Sequence, residues 1–273
     1  MSTASRSALC RRWGSAEQLG ELMALIDEGL AFAQRDFSLL TIAGELSQRF
    51  PGQLVFKGGF VLRHVHGVSR LSTDVDATKH EPAKHKLDAS EVAEAIRAAS
   101  VGDIVRFSPR FPPSTDTSNS LDFDKVTVSG VSLPETEVQV EISYREEVVA
   151  PPRTVLVGPP FDAEFMLLAM AVTEMAAEKL RTLAQRTKAT DLADIAELLV
   201  HAEAVDDEIG ALAETKFKLV REGAVNRAVR IERNLLQMRE DYDATVLPLF
   251  PGARSYADAM AIVWPRIRRL IPS

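Results

Sequence analysis

Apolar positions recur at helical spacing over residues 16–34, where Leu19, Leu22, Met23, Ile26 and Leu30 predict one face of a helix. A second helix is predicted over 38–49, stopped by Pro51-Gly52. The pattern then shortens. "QLVFKG" reads as a buried strand ending at Lys57, "GFVLRHVHG" as a short helix closed by Gly67, and "LSTDVDATK" as a second strand. A helix is predicted near 88–99. Residues 103–109, 120–129, 137–144 and 153–157 are strand-like, separated by the turn-rich "SPRFPPSTDTSNS" and "SGVSLPETE". After Pro160 the periodicity is helical to the end, beginning with "FMLLAMAVTEMAAEKLRTLAQRT". This order predicts an α+β protein, with a mixed half near 35–160 and a helical half over 161–273.

Composition narrows the classes without choosing one. The chain has 273 residues, 46% hydrophobic and 26% charged, as expected of a globular protein of one large or two small domains. Its single cysteine, Cys10, rules out an internal disulfide framework or a thiolate zinc cluster and suits a reducing cytoplasm. No apolar run is long enough for a membrane span, and the N-terminus lacks a signal-peptide core, so a cytoplasmic protein is expected. The net charge of −7 argues against a generic nucleic-acid coat. From Lys216 to Ser273, however, 11 Lys and Arg face 6 Asp and Glu, a local balance of 11 − 6 = +5.

The chemistry concentrates in "FKGGFVLRHVHGVSRLSTDVDATKH", residues 56–80. Residues two apart on a strand share a face, so Asp74 and Asp76 project side by side. Two such carboxylates repel unless a cation joins them, and oxygen ligands suit a hard divalent ion. Gly58 and Gly59 fall where a strand turns into a helix, allowing close backbone approach to a phosphate. Together these features suggest metal-assisted phosphoryl or nucleotidyl transfer. An isolated D-x-D is more often a solvated strand end. Asp122 and Asp124 form another one, which reads as the outer face of a hairpin because no glycine corner precedes it. The expected third acid is Glu141, which shares a strand face with Glu137 and Gln139, opposite Val138, Val140 and Ile142; the alternative is an exposed strand face.

"KGGFVLRHVHGVSRLSTDVD" resembles the first motif of the AbiEii nucleotidyltransferase-like proteins, which include the MenT toxins. Lys57, Gly58, Gly59, Leu62, Arg70, Ser72, Asp74 and Asp76 match K-G-G-x-x-L and R-x-S-x-D-x-D, and Glu141 falls where the superfamily has its third acid. "AEKLRTLAQRTKATDLADIAELL" resembles a second family segment through Ala177, Glu178, Lys179, Leu183, Arg186, Asp191 and Asp194, although Thr190 stands where Arg is usual. The resemblance covers roughly residues 20–200.

It implies a minimal nucleotidyltransferase sheet lobe with N-terminal helices over 1–160 and a helical C-terminal lobe over 161–273. It implies a nucleoside triphosphate substrate and Mg2+ or Mn2+. Asp74, Asp76 and Glu141 would hold the metal. Lys57, Gly58, Gly59, Arg70, Ser72, Lys179 and Asp191 would contact the nucleotide, with Lys179 and Asp191 also in the catalytic set. Family members are toxins of type IV toxin–antitoxin pairs, and MenT-like ones add nucleotides to the tRNA 3′ end; the implied partners are tRNA and an AbiEi-like or related antitoxin.

From the residues alone, Lys179 and Asp191 lie on consecutive predicted helices, and Asp191 and Asp194 share a face. A lysine there could hold triphosphate oxygens, or could belong to a solvated amphipathic face. Arg227, Arg230 and Arg233 flank the apolar stripe Ala228, Ile231, Leu235 and Met238. The row is either solvated or follows an RNA backbone. The alternatives to a tRNA-modifying toxin are an antibiotic-type enzyme with a small acceptor, a D-x-D glycosyltransferase, and a degenerate nucleotide-binding module.

Overall fold

The computed structural model describes residues 30–80, 86–101, 105–130, 133–158, 164–201, 203–221, 226–250 and 252–271. Of the helix expected over 16–34, residues 16–29 lie outside them. Two compact units emerge. One contains Met1–Val65, Leu71–Glu146 and Thr154–Ala169; the other contains His66–Arg70, Glu147–Arg153 and Met170–Ser273.

The first unit opens with helix α1, Leu30–Arg49. It is continuous where two helices were expected, because Arg35-Asp36-Phe37 contains neither Gly nor Pro to break it. Leu39, Ile42, Ala43 and Leu46 form its fully buried stripe. Strand β1 is Leu54–Lys57, helix α2 Gly58–His64, β2 Asp74–Lys79 and α3 Ala89–Ala98. Five more strands follow: β3 Arg106–Pro109, β4 Thr115–Asp116, β5 Ser120–Gly130, β6 Leu133–Ser143 and β7 Arg153–Val157.

The last strand, β8, is Phe165–Ala169, in a segment expected to be helical. It pairs in parallel with β1, Val55 opposite Leu168 and Phe56 opposite Ala169. The sheet order is β3-β5-β6-β2-β1-β8-β7, with β4 alongside β5. Sheet pairing overrides the helical reading of "FMLLA", a short apolar run that fits either state. On β2, β5 and β6 one face is core: Val75, Ala77, Leu121, Phe123, Val138, Val140 and Ile142 are all essentially buried. The alternate residues fall on the other face, which carries the polar chemistry.

The second unit is helical, as expected. Helix α4 is Val172–Leu183, α5 Ala189–Val200, α6 Asp206–Leu219, α7 Arg227–Gln237, α8 Tyr242–Val246 and α9 Tyr256–Leu270. Helix α5 is central: α4, α8 and α9 all pack on it, and every residue from Ala189 to Ala196 is buried. A helix buried on all sides must neutralise any charge it carries, which bears on Asp191 and Asp194.

Candidate active site

Cross-strand register assembles the acidic face. Strands β2 and β6 run parallel, with Asp74 opposite Gln139 and Asp76 opposite Glu141. Antiparallel pairing sets Lys57 of β1 opposite Asp76, and Asp122 of β5 opposite Glu141. Directly opposed residues share a sheet face, so Lys57, Asp76, Glu141 and Asp122 form one row across four strands. Asp74 stands beside it, two residues from Asp76. Asp122 does lie in a hairpin, as expected, but on the side that carries Glu141. Its sequence neighbourhood gave no hint of this, because its register partner, Glu141, lies on another strand.

Each carboxylate has a distinct surrounding. Ser72 Oγ donates to Asp74 Oδ1 at 2.8 Å, and Ser72 is itself buried, so Asp74 is oriented from within the protein. Asp76 lies against Gly58, whose φ is +70° and where an added Cβ would overlap Asp76 Oδ2. Gly59 is buried in the first turn of α2. Lys57 pairs with Glu146, whose Oε2 also accepts from Thr78 Oγ1 at 3.1 Å. Asp122 Oδ2 accepts from Ser120 Oγ at 3.0 Å, while its buried Oδ1 has no hydrogen-bond partner. Burial pushes the Glu141 carboxyl above the usual range; Lys57 pulls it back, and Asp122, Glu146 and Asp74 push it further up. The face thus concentrates negative charge around one lysine.

Among the described residues, no three His, Cys, Asp or Glu converge into a ready-made metal centre. The donor chemistry still fits a divalent cation. Asp74 and Asp76 are adjacent oxygen donors, and Mg2+ is commonly held by one or two carboxylates with substrate phosphates completing the shell.

A second charged cluster lies within the helical unit. Lys179 Nζ sits 2.8 Å from Asp191 Oδ1 and 2.7 Å from Asp194 Oδ2. Arg186 grips Asp191 with two bonds, Nε to Oδ2 at 2.7 Å and Nη2 to Oδ1 at 3.1 Å. Arg70 Nε lies 2.7 Å from Asp194 Oδ1, and its guanidinium stands 5.5 Å from the Phe250 ring centre. Asp191 and Asp194 are 1% and 0% exposed. Burial alone would raise the Asp191 pKa, but Lys179 and Arg186 outweigh it and hold the carboxyl well below the usual range. For Lys179, burial opposes the charge, and Asp194 and Asp191 more than restore it, so its pKa is raised. Thr190, the departure from the family pattern, is buried with its Oγ1 lacking a hydrogen-bond partner. Asp194 and Arg186 join this cluster as fully as Lys179 and Asp191 do; their i+3 and i−5 spacing from Asp191 was the available signal.

Of the three arginines expected along an RNA surface, Arg227 is turned inward. It is 4% exposed, pairs with Glu214, and lies 4.2 Å over the Phe217 ring. It stands four residues before Ile231 and so shares the core face of α7. Arg230 is half-buried and Arg233 exposed.

The sheet order and the glycine corner beside paired aspartates define a nucleotidyltransferase fold, and comparison with known proteins places it. Residues 45–268 match the family described as nucleotidyl transferase AbiEii toxin, type IV toxin–antitoxin system, and the chain belongs to that family. No curated protein sequence matches the chain. Among solved structures it is similar to MenT4, a nucleotidyltransferase toxin from Mycobacterium tuberculosis H37Rv, at 22% identity and TM-score 0.71, covering 95% of this chain and 90% of that one. It is also similar to JHP933 from Helicobacter pylori, at 16% identity and TM-score 0.58, covering 88% and 93%. The protein is therefore a nucleotidyltransferase of the toxin type.

Proposed function

We propose that this nucleotidyltransferase moves a nucleotide from a nucleoside triphosphate to the 3′ end of tRNA, with Mg2+ or Mn2+ as its metal, and that this transfer arrests growth until a partner antitoxin relieves it. The observation that carries the chemistry is the in-register set of Asp74, Asp76 and Glu141 beside the Gly58-Gly59 corner. Asp74 and Asp76 would hold the metal, with Glu141 completing the set. When bound, a divalent cation neutralises the triphosphate and stabilises charge on the transferring group.

The protein's own part is orientation. Ser72 fixes Asp74. The missing side chain at Gly58 makes room for the Asp76 carboxylate, and phosphate oxygens would approach the backbone at Gly59, in the first turn of α2. Glu141 orients the acceptor hydroxyl. The 3′ oxygen then bonds to the α-phosphorus, the bond to the β-phosphate oxygen breaks, pyrophosphate departs and the hydroxyl proton is lost to solvent. Lys179 is held in place by Asp191 and Asp194 within the helical unit, and its assignment to the triphosphate rests on the sequence motif it matches. The family's toxin character and the +5 balance over residues 216–273 support a polyanionic acceptor.

Incubation with total tRNA and each labelled nucleoside triphosphate, with and without EDTA, tests the reading. Label at the tRNA 3′ end that disappears with EDTA is expected. Label on a small hydroxylated compound, with none on tRNA, would replace the acceptor; EDTA-resistant transfer would remove the metal.

A further inference from the structure

Helix α7 has two unlike faces. Ile231, Leu235 and Met238 are 0–2% exposed and face the core of their unit, with Arg227 and Asn234 on the same side. On the opposite side Val229, Glu232, Arg233 and Leu236 follow the i, i+3, i+4, i+7 pattern. At about 100° per residue, Val229 and Leu236 fall within about 20° of each other, at the apex of the outward face. They are 60% and 58% exposed. A single exposed aliphatic needs no explanation. Two stacked one heptad apart, on the crest of a helix whose inward side is fully packed, make a seam.

The charges beside that seam are arranged asymmetrically. Glu232 lies about 50° to one side of the seam and Arg233 about 50° to the other. A two-fold axis parallel to the helix would carry the Glu232 flank of one copy onto the Arg233 flank of the other. Each glutamate then meets an arginine, twice over, while Val229 meets its counterpart and Leu236 meets its own. An antiparallel pairing would instead set Glu232 against Glu232 and Arg233 against Arg233.

We propose that the outward face of α7 is a self-association surface, on which a second copy of the chain lays the same helix parallel and in register. RNA is the poorer occupant. A phosphate backbone gains nothing from the aliphatic pair and is repelled by Glu232, and Arg227 is turned away from this face. The proposal is independent of the nucleotidyl-transfer reading. An 11-residue helix is only about 16 Å long. It covers a fraction of the roughly 800 Å2 per partner that a stable interface needs, so the dimer is weak and reversible, in the micromolar range or above.

Sedimentation velocity of the full chain across the micromolar range tests this. The wild type should pass reversibly from monomer to dimer. Leu236→Glu or Val229→Glu should leave a monomer of unchanged thermal stability, since both positions are exposed. Glu232→Arg and Arg233→Glu should each weaken association about tenfold, the scale of two exposed ion pairs turned into repulsions. The double variant E232R/R233E should restore it. A wild type that stays monomeric throughout overturns the proposal. So does a dimer indifferent to Leu236→Glu, or a double variant as weak as the singles. Loss of tRNA binding in Arg233→Glu, with the chain monomeric at all concentrations, would assign the face to RNA instead.

Discussion

Gly58 and Asp76 compete for one volume: the carboxylate of Asp76 occupies the space that a side chain at position 58 would fill. The backbone at Gly58 is also left-handed, with φ +70°, a conformation that costs an L-residue about 1 kcal/mol or more. Gly58→Ala should therefore cost about 1–3 kcal/mol of stability and displace Asp76, lowering transfer by about 10²-fold even where the fold survives. Gly52→Ala shares the positive φ with nothing within 4 Å of the added Cβ. It should lose stability without losing activity. Thermal melts and initial rates on both variants separate strain from displacement.

Asp76→Asn and Asp74→Ala should each reduce nucleotide transfer by at least about 10²-fold, the scale of a lost preorganised electrostatic contact. Neither should unfold the protein, since both residues are partly exposed and removing one charge relieves repulsion with the other. A melting temperature equal to or above wild type, with transfer lost, is the expected pair of results. Wild-type rates in either variant would disconnect the acidic pair from the reaction.

The cluster around α5 predicts an acid-limb signature. The folded-state pKa of Asp191 is depressed, so its contribution is present above the unfolded value near 4 and is lost as pH falls below it. Asp191→Asn should be less stable than wild type at neutral pH, and the gap should close below about pH 4. The raised Lys179 pKa works in the opposite direction. Its contribution is fully present below the unfolded value of about 10.4 and fades only above it, so it adds no slope near neutrality. Lys179→Met, which leaves two buried carboxylates short of a cation, should cost about 3–5 kcal/mol in denaturant titrations as well as nucleotide use.

Glu174, on the same helix as Lys179 but outside the matched motif positions, offers a structural control. It is fully buried, pairs with Lys216 Nζ at 2.6 Å, and accepts the backbone N–H groups of Val149 and Ala150, each at 2.8 Å. Glu174→Ala should cost about 3–5 kcal/mol because it strands a buried ammonium and two amides. Glu174→Ala/Lys216→Met should recover part of that loss. Urea titrations of the two single variants and the double variant give the coupling directly.

What the sequence made legible was local. The Gly58-Gly59 corner, the Asp74–Asp76 pair and the α4–α5 spacing sit within a few turns or one strand, where periodicity fixes which side chains neighbour which. Asp122 escaped because its place beside Glu141 depends on β5–β6 register, which no spacing within the β5 segment encodes. Strand β8 escaped because Phe165–Ala169 is apolar on both faces and runs into α4 with neither Gly nor Pro between them. Arg227 was legible after all: four residues before Ile231, it belongs to the inward stripe, and its charge alone suggested otherwise.

The two units are woven from alternating stretches of one chain, with His66–Arg70 and Glu147–Arg153 belonging to the helical unit while the flanking residues belong to the sheet unit. A single cut after Ala169 keeps every sheet-unit segment together, but no single cut releases the helical unit whole, because His66–Arg70 and Glu147–Arg153 lie upstream of that point. A fragment ending before Phe165 would leave β1 without its parallel neighbour and would carry Arg70 without Asp194. A chain trimmed to the sheet unit would thus carry two orphan stretches of the helical unit, and a helical fragment would begin without them.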